Sequence, residues 1–390
     1  MKKMISVLFV MMLALAVSTA DELKFETGEW SQIIKKAKAE NKIIFLDAYT
    51  DWCGWCEVMD KKTFTDADVI SFVNKNFIPV KYEMQTGTGK ILAMKYRVRG
   101  FPSQLYFNSE GKLIYTDIGY KEPKKFIESL QKVLDSKNHK IYKGISDKLE
   151  PEFPDFYKLA FARNDSEEKK FPTPEEVVSY LDKCKSIFDE VAWSVYSVFQ
   201  SSEKYDNFFI ENYSKFVELY GESEVLNKFY DNTYQNVQKA IKNKDFSEMD
   251  KVLALIDKYD SKYAEENKDY YRMMYYERTE SWDKFSDYAE DLISNNKANN
   301  DRINELCWNL YENCTDKYVL KKALKWISKA TNESPNYANL DTHAALLYKT
   351  GNYKDAKIYA EKAIEIGKKS GNDVGETEKL LEKIKENQDK

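Results

Sequence analysis

Short apolar runs and amphipathic segments alternate over the first third of the chain. Residues 43–46 are a continuous apolar run of the kind found in buried strands, whereas Trp30, Ile33 and Ala37 recur at helical spacing. Similar patterns predict strands at 42–48, 77–82, 104–107 and 112–117, and helices at 29–40, 56–62, 91–96 and 123–134. Helices and strands alternate first and a hairpin comes late, so the pattern predicts a mixed α/β domain of about 115 residues.

Local signals predict where two of the helices begin. Thr65 and Asp68 have the spacing of a capping box, which predicts the start of a helix that runs through Val73. Gly87 and Gly89 predict a turn before the helix at 91–96.

The rest of the chain has a different pattern. Residues 137–154 are polar and contain a glycine and two prolines, which is typical of a linker. From residue 155 to residue 390 strand signals nearly vanish, and apolar residues recur at helical spacing in one segment after another, which predicts a succession of helices. We therefore expect a domain at 21–136, a linker at 137–154 and an all-α domain at 155–390.

An internal repeat is present near the C-terminus, most clearly at about 304–370. Ala323 and Ala356 are 33 residues apart, as are Ala330 and Ala363, and Gly351 marks a turn between two helices. This pattern resembles the tetratricopeptide repeat, whose period is about 34 residues. Arrays of this kind present a concave surface, so the resemblance implies that the helical repeats bind a peptide or protein partner. A helical bundle without a ligand is the alternative.

Residues 1–20 have the pattern of a signal peptide. Lys2 and Lys3 precede an apolar run at 5–17, and residues 18–20 are small, as a cleavage site requires. We expect export to the periplasm or secretion, with no stable membrane span after cleavage. An uncleaved membrane anchor is the alternative.

Composition excludes one class of partner. The 390 residues have a formal net charge of −5 and no basic patch, so we expect no nucleic-acid binding.

Two of the five cysteines form a C-x-x-C pair, Cys53 and Cys56, directly after the first predicted strand. A closed zinc site needs four ligands, but the chain has only two histidines and no second C-x-x-C. A structural disulfide this short would close too small a loop to stabilise the fold much. The pair therefore predicts redox chemistry, whereas Cys184, Cys307 and Cys314 are expected to pack as small apolar side chains.

A cysteine at the N-terminus of a helix faces free N–H groups and the positive end of the helix dipole. Cys53, expected to be exposed at the turn, should therefore attack a partner disulfide as a thiolate, and the more buried Cys56 should resolve the mixed disulfide. Gly54 would permit close approach of the substrate, and Trp52 and Trp55 would offer it flat apolar surfaces. Alternatively, Trp55 only covers the edge of the core.

With these motifs, residues 30–133 resemble the thioredoxin superfamily, in particular exported members with the pattern D-x-W-C-x-x-C. The resemblance implies an α/β thioredoxin fold, a mixed sheet with flanking helices. It also implies that Asp47 accepts the proton of the resolving thiol and that Lys81 pairs with Asp47. Phe101 and Pro102 match the family's cis-proline loop, which docks the substrate backbone. The alternatives are a solvated aspartate at a strand end and an ordinary trans proline.

Two departures from the family pattern bear on the direction of electron flow. No histidine lies between the cysteines, and Glu57 stands where many relatives have lysine. Both should disfavour the thiolate, so we expect a reductase or general exchanger rather than a strong oxidant.

Together these features predict an exported thiol–disulfide oxidoreductase whose only cofactor is its redox-active disulfide. Its partners would be exported proteins with thiols or disulfides and a redox partner protein. A non-enzymatic adaptor or a chaperone-like binding protein is the alternative.

Overall fold

The computed structural model describes residues 22–135, 139, 141–163, 166, 168–260 and 262–388. The predicted signal peptide at 1–20 lies outside these residues, as do several positions of the predicted linker. The chain divides into two compact units, the N-terminal unit up to Phe229 and the C-terminal unit from Tyr230 onward. The domain boundaries drawn from the sequence stay predictions.

The first part of the N-terminal unit alternates helices and strands as expected. Its described strands are β1 (Ile43–Tyr49), β2 (Phe77–Glu83), β3 (Ser103–Phe107) and β4 (Leu113–Ile118). Its helices are α1 (Trp30–Glu40), α2 (Gly54–Lys62), α3 (Ala67–Asn76), α4 (Gly87–Tyr96) and α5 (Pro123–Leu134).

The strands form one mixed sheet in the order β2-β1-β3-β4. Strand β1 pairs in parallel with β2 and antiparallel with β3, and β3 pairs antiparallel with β4. Strand β1 is central and its middle five residues are buried, which explains its continuous apolar run. On one face, Phe45 stacks on Tyr106 and both pack with Phe126 of α5 in the core.

Two helix starts differ from the prediction. Asp66, not Thr65, caps α3, because its carboxylate accepts the N–H groups of Asp68 and Val69, each at 3.0 Å. The Thr65 hydroxyl instead donates back to the carbonyl of Lys61 in α2.

The predicted turn at Gly87 and Gly89 is wrong, since both residues belong to the first turn of α4. The helix lies so close to the end of β2 that a Cβ on Gly89 would be 1.9 Å from the Glu83 carbonyl oxygen. The glycine therefore serves close packing and not a turn.

Fourteen helices follow in the described part of the chain, and no strand follows with them. They are α6 (Asp155–Ala160), α7 (Pro174–Leu181), α8 (Glu190–Val198), α9 (Glu203–Glu211), α10 (Tyr213–Tyr220), α11 (Glu222–Asn243), α12 (Phe246–Tyr259), α13 (Ala264–Arg278), α14 (Trp282–Ser294), α15 (Asn300–Asn313), α16 (Lys317–Glu333), α17 (Tyr337–Lys349), α18 (Tyr353–Lys369) and α19 (Gly375–Gln388). Among the described residues, no helix combines the length and the apolar character that crossing a membrane requires.

Buried polar contacts join the sheet-containing part of the N-terminal unit to its helices. Arg97, which ends α4, donates to Glu224 of α11 at 2.7 Å. Lys95 donates to Glu190 of α8 at 2.8 Å. The Tyr157 hydroxyl of α6 donates to the carbonyl of Met94 at 2.8 Å. These contacts explain why the compact N-terminal unit includes helices beyond the α/β part and ends only at Phe229.

Within the C-terminal unit, α15 packs on α16 and α17 packs on α18. Ala323, Ala330, Ala356 and Ala363 are all fully buried. The small residues of the predicted repeat therefore lie where helices approach closely. Binding of a partner by these helices stays a prediction.

Candidate functional site

Cys53 and Cys56 are joined by a disulfide at the N-terminus of α2. Cys53 is the N-cap residue, and its sulfur accepts the backbone N–H of Cys56 at 3.1 Å. Cys53 is only 8% exposed, so the expectation of an exposed sulfur is wrong, although Cys56 is more buried at 3%. The cause is the N-cap position, because the Cys53 N–H donates to the Thr50 carbonyl and its sulfur is drawn onto the first turn of α2.

The two tryptophans of the motif are mostly exposed, Trp52 at 55% and Trp55 at 61%. Trp52 donates its indole N–H to Gln85 at 2.9 Å, and Trp55 stacks on Tyr120 with ring centroids 5.4 Å apart. The exposure of Trp55 argues against a role limited to covering the core. At Gly54, an added Cβ would meet no atom within 4 Å, so the space above the motif is open.

The loop before β3 lies beside this motif. The peptide bond between Phe101 and Pro102 is cis, the isomer that the resemblance implied. The Phe101 ring packs edge-on against Trp52 with centroids 5.9 Å apart. The Pro102 carbonyl accepts the N–H of Gly119, which ties the loop to the end of β4. The structure therefore brings two predicted substrate-binding residues from distant parts of the chain together.

Asp47 and Lys81 are direct partners in the parallel pairing of β1 with β2. The Lys81 Nζ lies 3.2 Å from Asp47 Oδ2. Asp47 is 1% exposed, and its Oδ1 has no hydrogen-bond partner among the described residues. Burial raises the pKa of Asp47 to about 6, although Lys81 acts in the opposite direction. The alternative of a solvated aspartate is therefore wrong.

A second carboxylate, Asp60, contacts the same ammonium group. Burial alone would lower the pKa of Lys81, but Asp47 and Asp60 together outweigh it and the pKa is raised. Lys81 is thus a cation held between two acids, one buried on β1 and one partly exposed on α2. Asp60 could not be assigned from the sequence, since nothing in a sequence shows which face of α2 packs over β2. Its only signal is its position one helical turn after Cys56.

Glu57 acts less strongly on the thiols than the sequence analysis assumed. Its carboxylate forms an ion pair with Lys61 one turn later in α2, and this contact lowers the pKa of Glu57. The negative charge is therefore partly offset by a neighbouring positive charge. The absence of a histidine between the cysteines therefore favours a reductase more strongly than Glu57 does.

Gln104 is a further polar residue that the sequence analysis missed. It is fully buried on β3, directly opposite Asp47 in the antiparallel pairing. Its side-chain amide lies 3.7 Å from the sulfur of Met59 in α2. A glutamine two residues after Pro102 is the only sequence signal.

The three other cysteines are free thiols. Cys307 and Cys314 are fully buried, and burial raises the pKa of both thiols. A raised pKa keeps a thiol protonated and unreactive, which agrees with the predicted packing role.

Comparison with known proteins agrees with this geometry. A family model described as a thioredoxin-like domain matches residues 30–134. A relative from Colwellia psychrerythraea, named thiol:disulfide interchange protein DsbD, is 34% identical over 80 residues, which are 20% of this chain and 13% of the relative. A protein of the same name from Photorhabdus laumondii subsp. laumondii is 34% identical over 110 residues, 27% of this chain and 19% of the relative.

Among solved structures, the oxidised DsbD C-terminal domain of Neisseria meningitidis is 25% identical, with a TM-score of 0.24. The match covers 26% of this chain and 90% of that chain. Of the two relatives named thiol:disulfide interchange protein DsbD, this chain spans less than a fifth of the length, 13% of one and 19% of the other.

The family match, the sheet and the disulfide lie in the same part of the chain. Residues 30–134 are a thioredoxin-like domain with a C-x-x-C disulfide, Cys53–Cys56, and the described secondary-structure elements that follow it are all helices.

Proposed function

We propose that this protein is a thiol–disulfide oxidoreductase that acts on protein disulfides through Cys53 and Cys56. The observation that carries the proposal is the position of Cys53 as the N-cap of α2, disulfide-bonded to Cys56 and 3.1 Å from its N–H. The name of the relatives, thiol:disulfide interchange protein, supports the same activity for this domain. The exposed rings of Trp52 and Trp55 offer contact surface to a polypeptide.

The exchange starts from the reduced protein. The Cys56 N–H and the dipole of α2 favour a thiolate at Cys53, which attacks one sulfur of a substrate disulfide. A Cys53–substrate bond forms, and the other substrate sulfur leaves as a thiolate. Cys56 then attacks Cys53, the Cys53–Cys56 bond forms, and the second substrate thiolate leaves. Two electrons thus pass from the protein dithiol to the substrate, and the dithiol of a redox partner protein returns them.

Asp47 is the proton acceptor of the second step. Cys56 must lose its thiol proton before it can attack. The buried carboxylate of Asp47, whose Oδ1 accepts no hydrogen bond from the described part of the chain, can take that proton. A carboxyl group whose pKa is about 6 is ionised at neutral pH and still basic enough to accept. Lys81 orients Asp47 and balances its charge. The Phe101–Pro102 loop holds the backbone of the substrate beside the disulfide.

The proposal includes location and partners. The N-terminal segment directs export to the periplasm or beyond, where exported proteins with thiols or disulfides are the substrates. The helices of the C-terminal unit recruit a partner protein. The redox-active disulfide is the only cofactor.

The reduction potential of the Cys53–Cys56 pair tests the direction of electron flow. We expect a value nearer to the about −270 mV of a reducing thioredoxin than to the about −120 mV of a strong oxidant, since no imidazolium stabilises the thiolate. Equilibration of the protein with glutathione or dithiothreitol buffers measures it. A value close to that of the strong oxidants would contradict a reductase.

Trapping tests the function itself. In a Cys56→Ser variant the second step cannot occur, so the mixed disulfide between Cys53 and its substrate should accumulate. Non-reducing electrophoresis of the exported fraction should show disulfide-linked adducts that disappear when dithiothreitol reduces them. A Cys53→Ser variant is the matched control and should form none, while Cys184→Ser should leave turnover of the wild-type pair unchanged.

Trapping, together with a variant that lacks both motif cysteines, separates the alternatives. An adaptor that uses the fold only for binding would form no mixed disulfide with any exported protein. A chaperone-like protein would keep its activity after both motif cysteines are replaced. Either result would contradict the oxidoreductase.

A further inference from the structure

The short segment 119–121, which follows β4, is tied to two parts of the redox site. The Gly119 N–H donates to the Pro102 carbonyl at 2.8 Å. The Thr63 hydroxyl, at the C-terminal end of α2, donates to the Lys121 carbonyl at 2.6 Å. The backbone of the segment is therefore fixed both to the loop before β3 and to the helix that carries the cysteines.

Tyr120 lies between these two anchors and supports Trp55. Its ring stacks on the Trp55 indole, with ring centroids 5.4 Å apart and the two planes inclined by 27°. Tyr120 is half-buried and packs against the core cluster that includes Phe45 and Phe126, whereas Trp55 stays mostly exposed. The fold therefore backs one side of an indole whose residue stands between the two cysteines in the chain, and the rest of that indole is open to a partner.

The two tryptophans of the motif are held from opposite edges of the described sheet. Trp52 donates to Gln85, two residues after the end of edge strand β2, and Trp55 stacks on Tyr120, two residues after the end of edge strand β4. At Gly54, between them in the chain, the space above the backbone is open. A polypeptide that approaches the disulfide therefore meets two differently held indoles, and only that of Trp55 is stacked on a second ring in this way.

We propose that the exposed side of Trp55, supported by Tyr120, is a stacking subsite for an aromatic side chain adjacent to the reacting cysteine of the substrate polypeptide. The inference rests on the proposed disulfide exchange and names the substrate class. Aromatic pairs are stabilised beyond the effect of their buried area, so a supported indole favours a ring over an aliphatic side chain of similar size. Tyr120 is a positioning residue, because it acts by holding the indole in place.

Four synthetic peptides test the subsite with the full-length, reduced protein. Each has the sequence Gly-X-Cys-X-Gly, in which X is Tyr, Leu, Arg or Ala, and its cysteine forms a mixed disulfide with 2-mercaptoethanol, a small aliphatic group. The protein dithiol gives two electrons to this disulfide, so the Cys53–Cys56 bond forms and the peptide and 2-mercaptoethanol leave as free thiols. Acid quenching and chromatography measure the second-order rate constant, which is divided by that of dithiothreitol to correct for the reactivity of each peptide.

We expect the Tyr peptide to react roughly three- to tenfold faster than the Leu peptide, and faster than the Arg and Ala peptides. Tyr120→Leu keeps an apolar side chain on the core but removes the ring, so it should bring the ratio of the Tyr to the Leu rate close to one. Tyr120→Phe keeps the ring and should retain the ratio. Trp55→Leu should also lose it, and adding Tyr120→Leu to that variant should change the ratio no further, because Tyr120 acts through Trp55.

Tyr82→Leu is the matched control. Tyr82 also packs on a tryptophan, Trp30 of α1, with ring centroids 6.4 Å apart. It follows Lys81 on β2, whose side chain contacts Asp60 of α2, and so points to the opposite face of the sheet. This variant should keep the preference of the wild type for the Tyr peptide.

Four results would contradict the subsite and leave the exchange function standing: equal rates for the Tyr and Leu peptides, a faster Arg peptide, a ratio that survives Tyr120→Leu, or a ratio lost equally in Tyr82→Leu. Failure of the reduced protein to reduce any of the four peptides, while dithiothreitol reduces all of them, would contradict both proposals.

Discussion

Replacing Asp47 with asparagine should slow disulfide exchange by roughly 10²-fold at pH 7 and also stabilise the fold at that pH. The first effect follows because the variant has no carboxylate to accept the Cys56 proton. The second follows from burial, which raises the pKa of Asp47 from 3.8 to about 6 and so disfavours the ionised form in the folded protein. Asparagine removes this cost together with the charge.

The sign of the pH dependence follows from proton binding. Below pH 3.8 Asp47 is protonated in both the folded and the unfolded state, and the favourable contribution of its raised pKa is complete. Between pH 3.8 and about 6 the unfolded state has lost the proton and the folded state keeps it, so stability falls as the pH rises. Two pKa units correspond to about 3 kcal/mol, the upper limit of the expected gain in Asp47→Asn above pH 6.

Urea unfolding at pH 4 and pH 7 measures the stability effect, and the difference between the two proteins should be larger at pH 7. In kinetics, the resolving step of the wild type should accelerate with pH through about 6, and the variant should lack that rise. Lys81→Met provides a second test, because it removes a positive charge. Loss of the ammonium group, which lowers the pKa of Asp47, should raise that pKa further and move the rise in the rate of the resolving step to higher pH. An Asp47→Asn protein with wild-type exchange at pH 7 would contradict the assigned role.

Replacing Arg97 with methionine should destabilise the N-terminal unit by about 3–5 kcal/mol, the usual cost of removing one partner of a buried ion pair. Arg97 is buried, and its guanidinium donates to Glu224 at 2.7 Å and to the Ser194 hydroxyl at 3.1 Å. Methionine keeps an unbranched side chain at this position, but the Ser194 hydroxyl loses the Arg97 donor and Glu224 keeps only the neutral Trp193 indole N–H, at 2.8 Å, in place of a positive charge. Chemical denaturation followed by circular dichroism measures the loss.

Two further variants distinguish an ion-pair effect from general disruption. Lys143→Met removes the exposed ion pair with Glu218 and should change the midpoint of unfolding little. Adding Glu224→Gln to Arg97→Met should recover part of the loss, because no uncompensated carboxylate then remains. If Arg97→Met behaved like Lys143→Met, the α/β part and its helices would not be held together by this contact.

Much of the α/β part could be predicted from the sequence because its signals are local. The signals for β1, α1 and the late hairpin each lie within a few consecutive residues: an apolar run, apolar residues at helical spacing, and two short strands joined by a turn. The predictions were wrong where a neighbouring element decides. Position 89 is a glycine because the end of β2 leaves no room for a Cβ, not because the chain turns there, and Asp66 caps α3 because its carboxylate accepts two N–H groups.

The candidate site shows the same division. Cys53 and Cys56 are only three positions apart in the chain, so their spacing alone predicted a redox pair. Asp60 could not be assigned from the sequence, because its contact with Lys81 depends on how α2 packs over the sheet. Nor could the spacing predict that Cys53 is buried, since that depends on the N-cap hydrogen bonds.

The sequence by itself therefore determined the disulfide chemistry, the α/β character of the first part and the helical character of the rest, because these depend on residue type and short-range periodicity. Only the tertiary structure decided that residues beyond position 134 line one cleft together with Trp52 and Phe101. Arg97 and Glu224 are 127 residues apart, and Lys95 and Glu190 are 95 apart. Contacts between residues so distant along the chain leave no periodic signal, since each depends on how whole elements pack.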